Sequence, residues 1–169
     1  MKRLTGFCKA PTLTILILCL LILASCANGI NVKQLDRLGD FDTSQGNYVG
    51  AIEEYDKAIR FNPHDGETHI KRGFAYEKLG DNQRAISDYT KAIGIFPDDS
   101  ELYIVRGIVY AKIGEDQKAL YDYTRAIELD PLNRDAYLYR AEVYRKLGNN
   151  GLSDSDSQKA ATLGELKSR

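Results

Sequence analysis

Few side chains in this sequence could do chemistry: three cysteines, two histidines, and arginines and aspartates recurring at a fixed distance. Cys8 and Cys19 lie early and Cys26 is the last, so nothing beyond it can form a disulfide, a thiolate metal site or a cysteine nucleophile. His64 follows Pro63, and His69 stands where other segments carry Leu35, Tyr103 and Tyr137. Two isolated histidines without cysteine do not make a metal site, and both read as structural. No phosphate-binding glycine loop, Gly-x-Ser-x-Gly elbow or His-Glu-x-x-His pair occurs. Asp40 and Asp42 with Gly46 loosely suggest a calcium loop, but the glycine is one place late and Ala51 replaces the closing glutamate. Neither catalysis nor a cofactor is expected. One modifiable cysteine and a row of charges remain.

Cys26 has a specific setting. Lys2, Arg3 and Lys9 precede an apolar run from Thr12 to Leu23, too short for a stable membrane span and laid out like a signal peptide. The run ends in Leu23-Ala24-Ser25-Cys26, which resembles the lipobox of bacterial lipoproteins. That resemblance implies cleavage after residue 25 and acylation of Cys26, so residues 1–25 are a leader and 26–31 a lipidated tether. Several acyl chains hold a protein on a bilayer durably, at about 0.8 kcal/mol per buried methylene. Ala27 follows the cysteine; in the Gram-negative families that this resembles, aspartate there favours inner-membrane retention. The expected location is therefore the cell envelope, on the outer membrane facing the periplasm where the source has two membranes. Ala27 to Asn31 reach at most about 17 Å when extended, which sets the folded part against the membrane.

The rest of the sequence repeats at a constant step of about 34 residues. Tyr55, Tyr89 and Tyr123 keep this step, as do Pro63, Pro97 and Pro131 and Ala51, Ala85 and Ala119. Gly39, Gly73 and Gly107 follow it, with Gly46, Gly80, Gly114 and Gly148 and with Ala58, Ala92, Ala126 and Ala160. This Gly, Tyr, Gly, Ala, Tyr, Ala, Pro pattern resembles the tetratricopeptide repeat (TPR) signature across residues 32–167. The resemblance implies an all-α, right-handed superhelical solenoid of four helix-turn-helix repeats, placed at 32–65, 66–99, 100–133 and 134–167. In the third unit, Tyr103, Gly107 and Tyr110 share one face of a first helix over Glu101–Ile113. Gly114 suits the turn, and a second helix over Lys118–Leu129 stops at Asp130-Pro131. No hairpin buries its apolar face alone, so the units must stack.

Two departures mark the ends. Asp42 replaces the tyrosine of later units at positions 76, 110 and 144, making the first helix more polar at its end. In the last unit the run Ser153-Asp154-Ser155-Asp156-Ser157 reads as a solvated cap on the stack; the sharper alternative is a metal or phosphorylation site. Arg72, Arg106 and Arg140 precede the repeat glycine, or Ala141 in the last unit, and Asp88, Asp122 and Asp156 follow them at one constant spacing. Where Leu38 replaces the arginine, the acid is Glu54. A ladder of structural Arg–Asp pairs between helices or hairpins is expected, the alternative being an anion-binding row.

Function must then reside on the concave surface, lined by the first helix of each unit. With Tyr103, Gly107 and Tyr110 packed inward, the next residues along face the groove: Ile104, Ile108 and Ala111. Their equivalents are Ile70, Phe74 and Glu77, then Leu138, Glu142 and Arg145, with Asp36, Asp40 and Thr43 at the start. The groove should be acidic at its N-terminal end, apolar in the middle and charged at its far end. An apolar strip inside a solenoid marks a binding surface, although half-burial of these residues between adjacent helices explains the same pattern. The TPR subset that clamps carboxylate termini uses lysine and asparagine at such positions. Asp36, Asp40, Ile70 and Phe74 fit an amphipathic helix or extended apolar peptide better. Loss of Lys2, Arg3 and Lys9 with the leader turns 23 basic residues into 20, against 24 acidic ones, and this mild acidity excludes a nucleic-acid footprint. The expected partner is a protein near the membrane, with the protein acting as an adaptor. A pilotin-like or periplasmic chaperone for one client is one alternative, and a homodimer or larger self-assembly is another.

Overall fold

The computed structural model describes residues 32–167, and every regular element among them is a helix. Four antiparallel hairpins follow one another: α1 (Val32–Ser44) with α2 (Tyr48–Phe61), and α3 (Gly66–Lys78) with α4 (Asn82–Ile95). Next come α5 (Ser100–Lys112) with α6 (Asp116–Leu129), and α7 (Arg134–Lys146) with α8 (Asn150–Lys167). Each helix touches its hairpin partner and the helix that follows, giving the solenoid order. The leader, Cys26 and the tether lie outside the described residues.

The turn inside each hairpin is built on a left-handed glycine. Gly46, Gly80, Gly114 and Gly148 have φ of 75°, 79°, 81° and 77°. In the second hairpin the Gly80 N–H donates to the Glu77 carbonyl and the Asp81 N–H to that of Tyr76, at 3.0 and 2.9 Å. These bonds satisfy carbonyls that a helix end otherwise strands. Side chains then start the next helix: Asp81 accepts from the Arg84 N–H, Asn47 from Gly50 and Asn133 from Asp135 and Ala136. Glu115 takes the cap position without such a bond, so α6 begins at Asp116, two residues earlier than sequence periodicity suggests.

Within each hairpin a glycine receives a tyrosine ring. Tyr55, Tyr89 and Tyr123 are 1–2% exposed and lie against Gly39, Gly73 and Gly107, where an added Cβ would stand 2.5, 3.0 and 2.7 Å from the ring. In the last hairpin both partners change together: Ala141 replaces the glycine and Ser157 the tyrosine. The supposed polar run also divides. Ser153 and Asp156 point inward at 4% and 7% exposure, whereas Asp154, Ser155 and Ser157 are exposed.

The recurring charges form forks. Arg106 donates from Nε and Nη2 to the two carboxylate oxygens of Asp122 at 2.9 and 2.7 Å, and Arg140 does the same to Asp156 at 2.8 and 2.9 Å. Arg72 holds Asp88 at 2.8 and 2.7 Å. The remaining Nη1 reaches back to the preceding hairpin, to Asp56 from Arg72, Thr90 from Arg106 and Thr124 from Arg140. Tyr103 and Tyr110 flank the Arg106 guanidinium at 5.8 and 5.9 Å, and Tyr137 and Tyr144 flank that of Arg140 at 5.9 and 5.8 Å. Burial opposes the charge on all three arginines, but the aspartate bonds outweigh it and raise each guanidinium above its ordinary value. Each arginine thus spends three of its five N–H donors inside the stack.

Candidate functional site

The concave face is formed by α1, α3, α5 and α7, each presenting the side chains that its seam with the next helix leaves open. Ile104 is not among these. At 3% exposure it sits in the seam with Tyr103, Ala126 and Ala136, so it offers no surface to a ligand. Ile70, Ile108, Ala111 and Leu138 are half-buried, Phe74 is 38% exposed and Glu142 is exposed. Two residues that sequence reasoning passed over complete the surface: Val105 and Tyr139, both half-buried and one position beyond Ile104 and Leu138. Their position reads Lys71, Val105 and Tyr139 along the repeats, whereas the seam position is uniformly aliphatic in those units (Ile70, Ile104, Leu138). That contrast is the signal that separates them.

Two hollows lie along the groove. The first, about 320 Å³, has Ile70, Phe74 and Val105 over the rings of Tyr55 and Tyr89, with Asp40, Thr43 and Lys71 at its edge. The second, about 290 Å³, is bounded by Ile108, Ala111, Tyr139 and Val143 above Tyr123, with Glu142, Lys112, Lys146 and Asp116 around it. The Tyr123 and Tyr139 rings stack at 5.7 Å. A larger hollow of about 870 Å³, between the start of α7 and the end of α8, is walled mainly by charged groups such as Glu101, Asp130 and Asp135.

The charges bordering the first hollow are fixed from beneath. The Tyr55 hydroxyl donates to Asp40 at 2.9 Å and that of Tyr89 to Glu77 at 3.2 Å. Lys71 donates to Asp40 at 2.9 Å, and Thr68 to Asp36 at 2.9 Å. Burial pushes the Tyr55 phenol up to about 12 and raises those of Tyr89 and Tyr123, so all three stay protonated at neutral pH. Burial pulls the Lys71 ammonium down, but Asp40 outweighs this and raises it. Further along, Lys146 bonds Asp116 at 2.7 Å, and Lys78 lies 4.8 Å from the Phe74 ring centre. The groove is therefore an apolar strip bordered largely by neutralised charges.

His69 occupies the tyrosine position and keeps the tyrosine bond. Tyr103 and Tyr137 donate to the carbonyls of Pro97 and Pro131 at 3.0 and 3.3 Å, and His69 Nε2 meets that of Pro63 at 3.1 Å. Among the described residues, no group of three or more His, Cys, Asp or Glu could hold a metal ion, and no helix is long and apolar enough to cross a membrane.

Family models extend the sequence argument. The TPR repeat model matches residues 39–80 and 109–148, and the tetratricopeptide repeat model matches 66–99. The chain belongs to the tetratricopeptide repeat family. Among solved TPR neighbours, a crystal structure of MamA superposes with a TM-score of 0.81 at 26% identity, covering 86% of this chain and 85% of that one. MamA 41-end from Desulfovibrio magneticus RS-1 gives 0.79 at 16%, over 86% and 82%, a likeness of fold alone. The first TPR of Spaghetti (RPAP3) bound to the HSP90 peptide SRMEEVD gives 0.65 at 26%, over 69% of this chain and 93% of that one. No curated protein matches the chain.

Proposed function

We propose that this TPR protein is a membrane-tethered adaptor that holds a partner's amphipathic helix or extended apolar segment in its groove. The observation that carries this reading is the strip formed by Ile70, Phe74, Val105, Ile108 and Tyr139, with Lys71 and Asp40 already paired at its edge. Such a surface gains by excluding water from apolar side chains and has little free charge to direct toward a ligand. The peptide-bound RPAP3 neighbour supports a peptide as ligand for this kind of stack. An acidic peptide such as SRMEEVD suits this groove poorly, because Lys71, the cation at the edge of its first hollow, is already paired with Asp40.

Tethering rests on the leader and on Cys26, and the natural partners are then proteins of the same membrane or its adjoining compartment. In an envelope with two membranes, the lipid-anchored protein faces the periplasm from the outer one. Affinity purification of the tagged protein from its native membrane, beside a Phe74→Glu variant, tests the groove. A partner set retained in full by the variant removes the groove from the proposal, and recovery of one unfolded client turns the reading toward a chaperone. Cys26→Ala tests the tether: it should accumulate as unprocessed precursor.

A further inference from the structure

The last residue of α3, α5 and α7 is a lysine, and its surroundings differ in each hairpin. Lys78, Lys112 and Lys146 keep the repeat step. Lys146 bonds Asp116, the first residue of the second helix in the preceding hairpin, at 2.7 Å, and the Asp116 side chain is 14% exposed. Lys78 has Tyr48 at the corresponding place and lies over the Phe74 ring instead. For Lys112 the corresponding residue is Asn82, whose neutral side-chain carbonyl is buried without a hydrogen-bond partner. Lys112 itself is exposed, and among the described residues it has no acid, hydrogen-bond acceptor or ring within reach. It borders the second hollow beside Ile108, Ala111 and Tyr139. The other lysines bordering the two hollows, Lys71 and Lys146, are both paired.

We infer that Lys112 pairs with a carboxylate of the partner, so that the segment held in the groove carries an acid beside the apolar side chain that fills the second hollow; the inference rests on the groove reading above. The change from aspartate at 116 to asparagine at 82 is the first reason, because it withdraws the internal anion and leaves an ammonium at the groove edge. The walls are the second. An ion pair in open water gains little, but a partner laid over Ile108 and Tyr139 excludes water beside Lys112, and the attraction strengthens as the local dielectric falls. The opposite wall limits the pattern. Glu142 on α7 is exposed and makes no ion pair among the described residues, while Asp116 and Lys146 cancel each other. A second acid on that side meets repulsion from Glu142. The partner therefore places its acid toward α5 and a neutral or basic residue toward α7, and this asymmetry fixes the direction in which it lies.

A phage-displayed library of short random peptides, selected on the full-length protein beside its Lys112→Gln, Asn82→Asp and Phe74→Glu variants, tests this, circular dichroism confirming the helical fold of each. The parent should enrich apolar peptides with a neighbouring Asp or Glu. Lys112→Gln should keep the apolar enrichment and lose the acid. Asn82→Asp should do the same without altering the groove surface, because it gives Lys112 the internal partner that Lys146 already has. A synthetic peptide from the parent's selection should bind about two- to fivefold more weakly once its acid is changed to the amide, with a smaller loss on Lys112→Gln. The difference should fade at about 0.5 M salt. Acid enrichment that survives Lys112→Gln overturns the inference and leaves the groove standing, as does apolar enrichment without any acid in the parent. Failure to enrich apolar peptides, or enrichment unchanged by Phe74→Glu, removes the groove reading and this inference with it.

Discussion

His69 Nδ1 lies 3.0 Å from Asp88 Oδ1 in a site where both side chains are 2% exposed, and the other ring nitrogen meets the Pro63 carbonyl. Both neighbours are acceptors. A neutral imidazole supplies one N–H and a doubly protonated ring supplies two, so this hairpin carries a constraint that Tyr103 and Tyr137 do not impose on theirs. His69→Tyr should therefore fold at least as stably as the parent, its hydroxyl donating to Pro63 and leaving Asp88 to Arg72. His69→Ala should lose about 2–4 kcal/mol through a cavity and two missing bonds. Urea midpoints at constant slope decide the matter; a destabilised tyrosine variant would show that the second ring nitrogen is needed.

Asp122 is 1% exposed, and its two oxygens are taken by Arg106. Asp122→Ala leaves a half-buried guanidinium without its fork and should cost about 3–5 kcal/mol. Replacing both members, Arg106→Met with Asp122→Leu, should recover most of that loss, because the desolvation penalty disappears with the charges. Thermal melts of Arg106→Met, of Asp122→Leu and of the double variant form the cycle. Equal losses in the double variant would mean that the Thr90 bond and the flanking rings carry the stabilisation.

Glutamate substitution separates groove from seam. Phe74→Glu, at a 38% exposed site, should change stability by less than about 1 kcal/mol while abolishing partner capture. Ile104→Glu, at 3% exposure, buries a charge beside Tyr103 and Ala136 and should cost more than about 3 kcal/mol. A folded Ile104→Glu protein that has lost only its partner would contradict this placement.

Alkaline pH should unfold the stack. The phenols of Tyr55, Tyr89 and Tyr123 are all raised by burial, Tyr55 to about 12, whereas an unfolded tyrosine titrates near 10. Above pH about 10 the unfolded chain binds fewer protons than the folded one, so stability is full below that pH and falls as pH climbs toward the folded values. Tyr55→Phe should flatten the part of the decline between pH about 10 and 12, at the expense of the bond to Asp40. Melting temperatures measured from pH 8 to 12 test this.

Repetition made the hairpins, the glycine turns and the charged pairs legible in the sequence. The repeat step fixes each turn at Gly46, Gly80, Gly114 and Gly148, and a second constant spacing predicts that Arg72, Arg106 and Arg140 look for Asp88, Asp122 and Asp156. The facing of individual groove residues was harder to read. Successive helical residues differ by about 100° in direction, so choosing Ile104 over Val105 moves the surface from open groove to buried seam. Concerted change was also hidden: Ala141 and Ser157 look like two separate departures until the ring of Tyr123 against Gly107 shows that their positions pair in the preceding hairpin. The substitution at His69 kept its packing role, but its bond to Asp88 depends on distances that no spacing reveals.

The arginine forks close within hairpins. Arg72 and Asp88 both belong to residues 66–99, Arg106 and Asp122 to 100–133, and Arg140 and Asp156 to the last unit, while the arm reaching backward meets a hydroxyl or an exposed carboxylate. Each of the last three repeats therefore balances the charge of its own fork. A gene duplication or deletion of one whole repeat transfers cation and anion together, so the solenoid can lengthen or shorten over evolutionary time without stranding an ion in its interior.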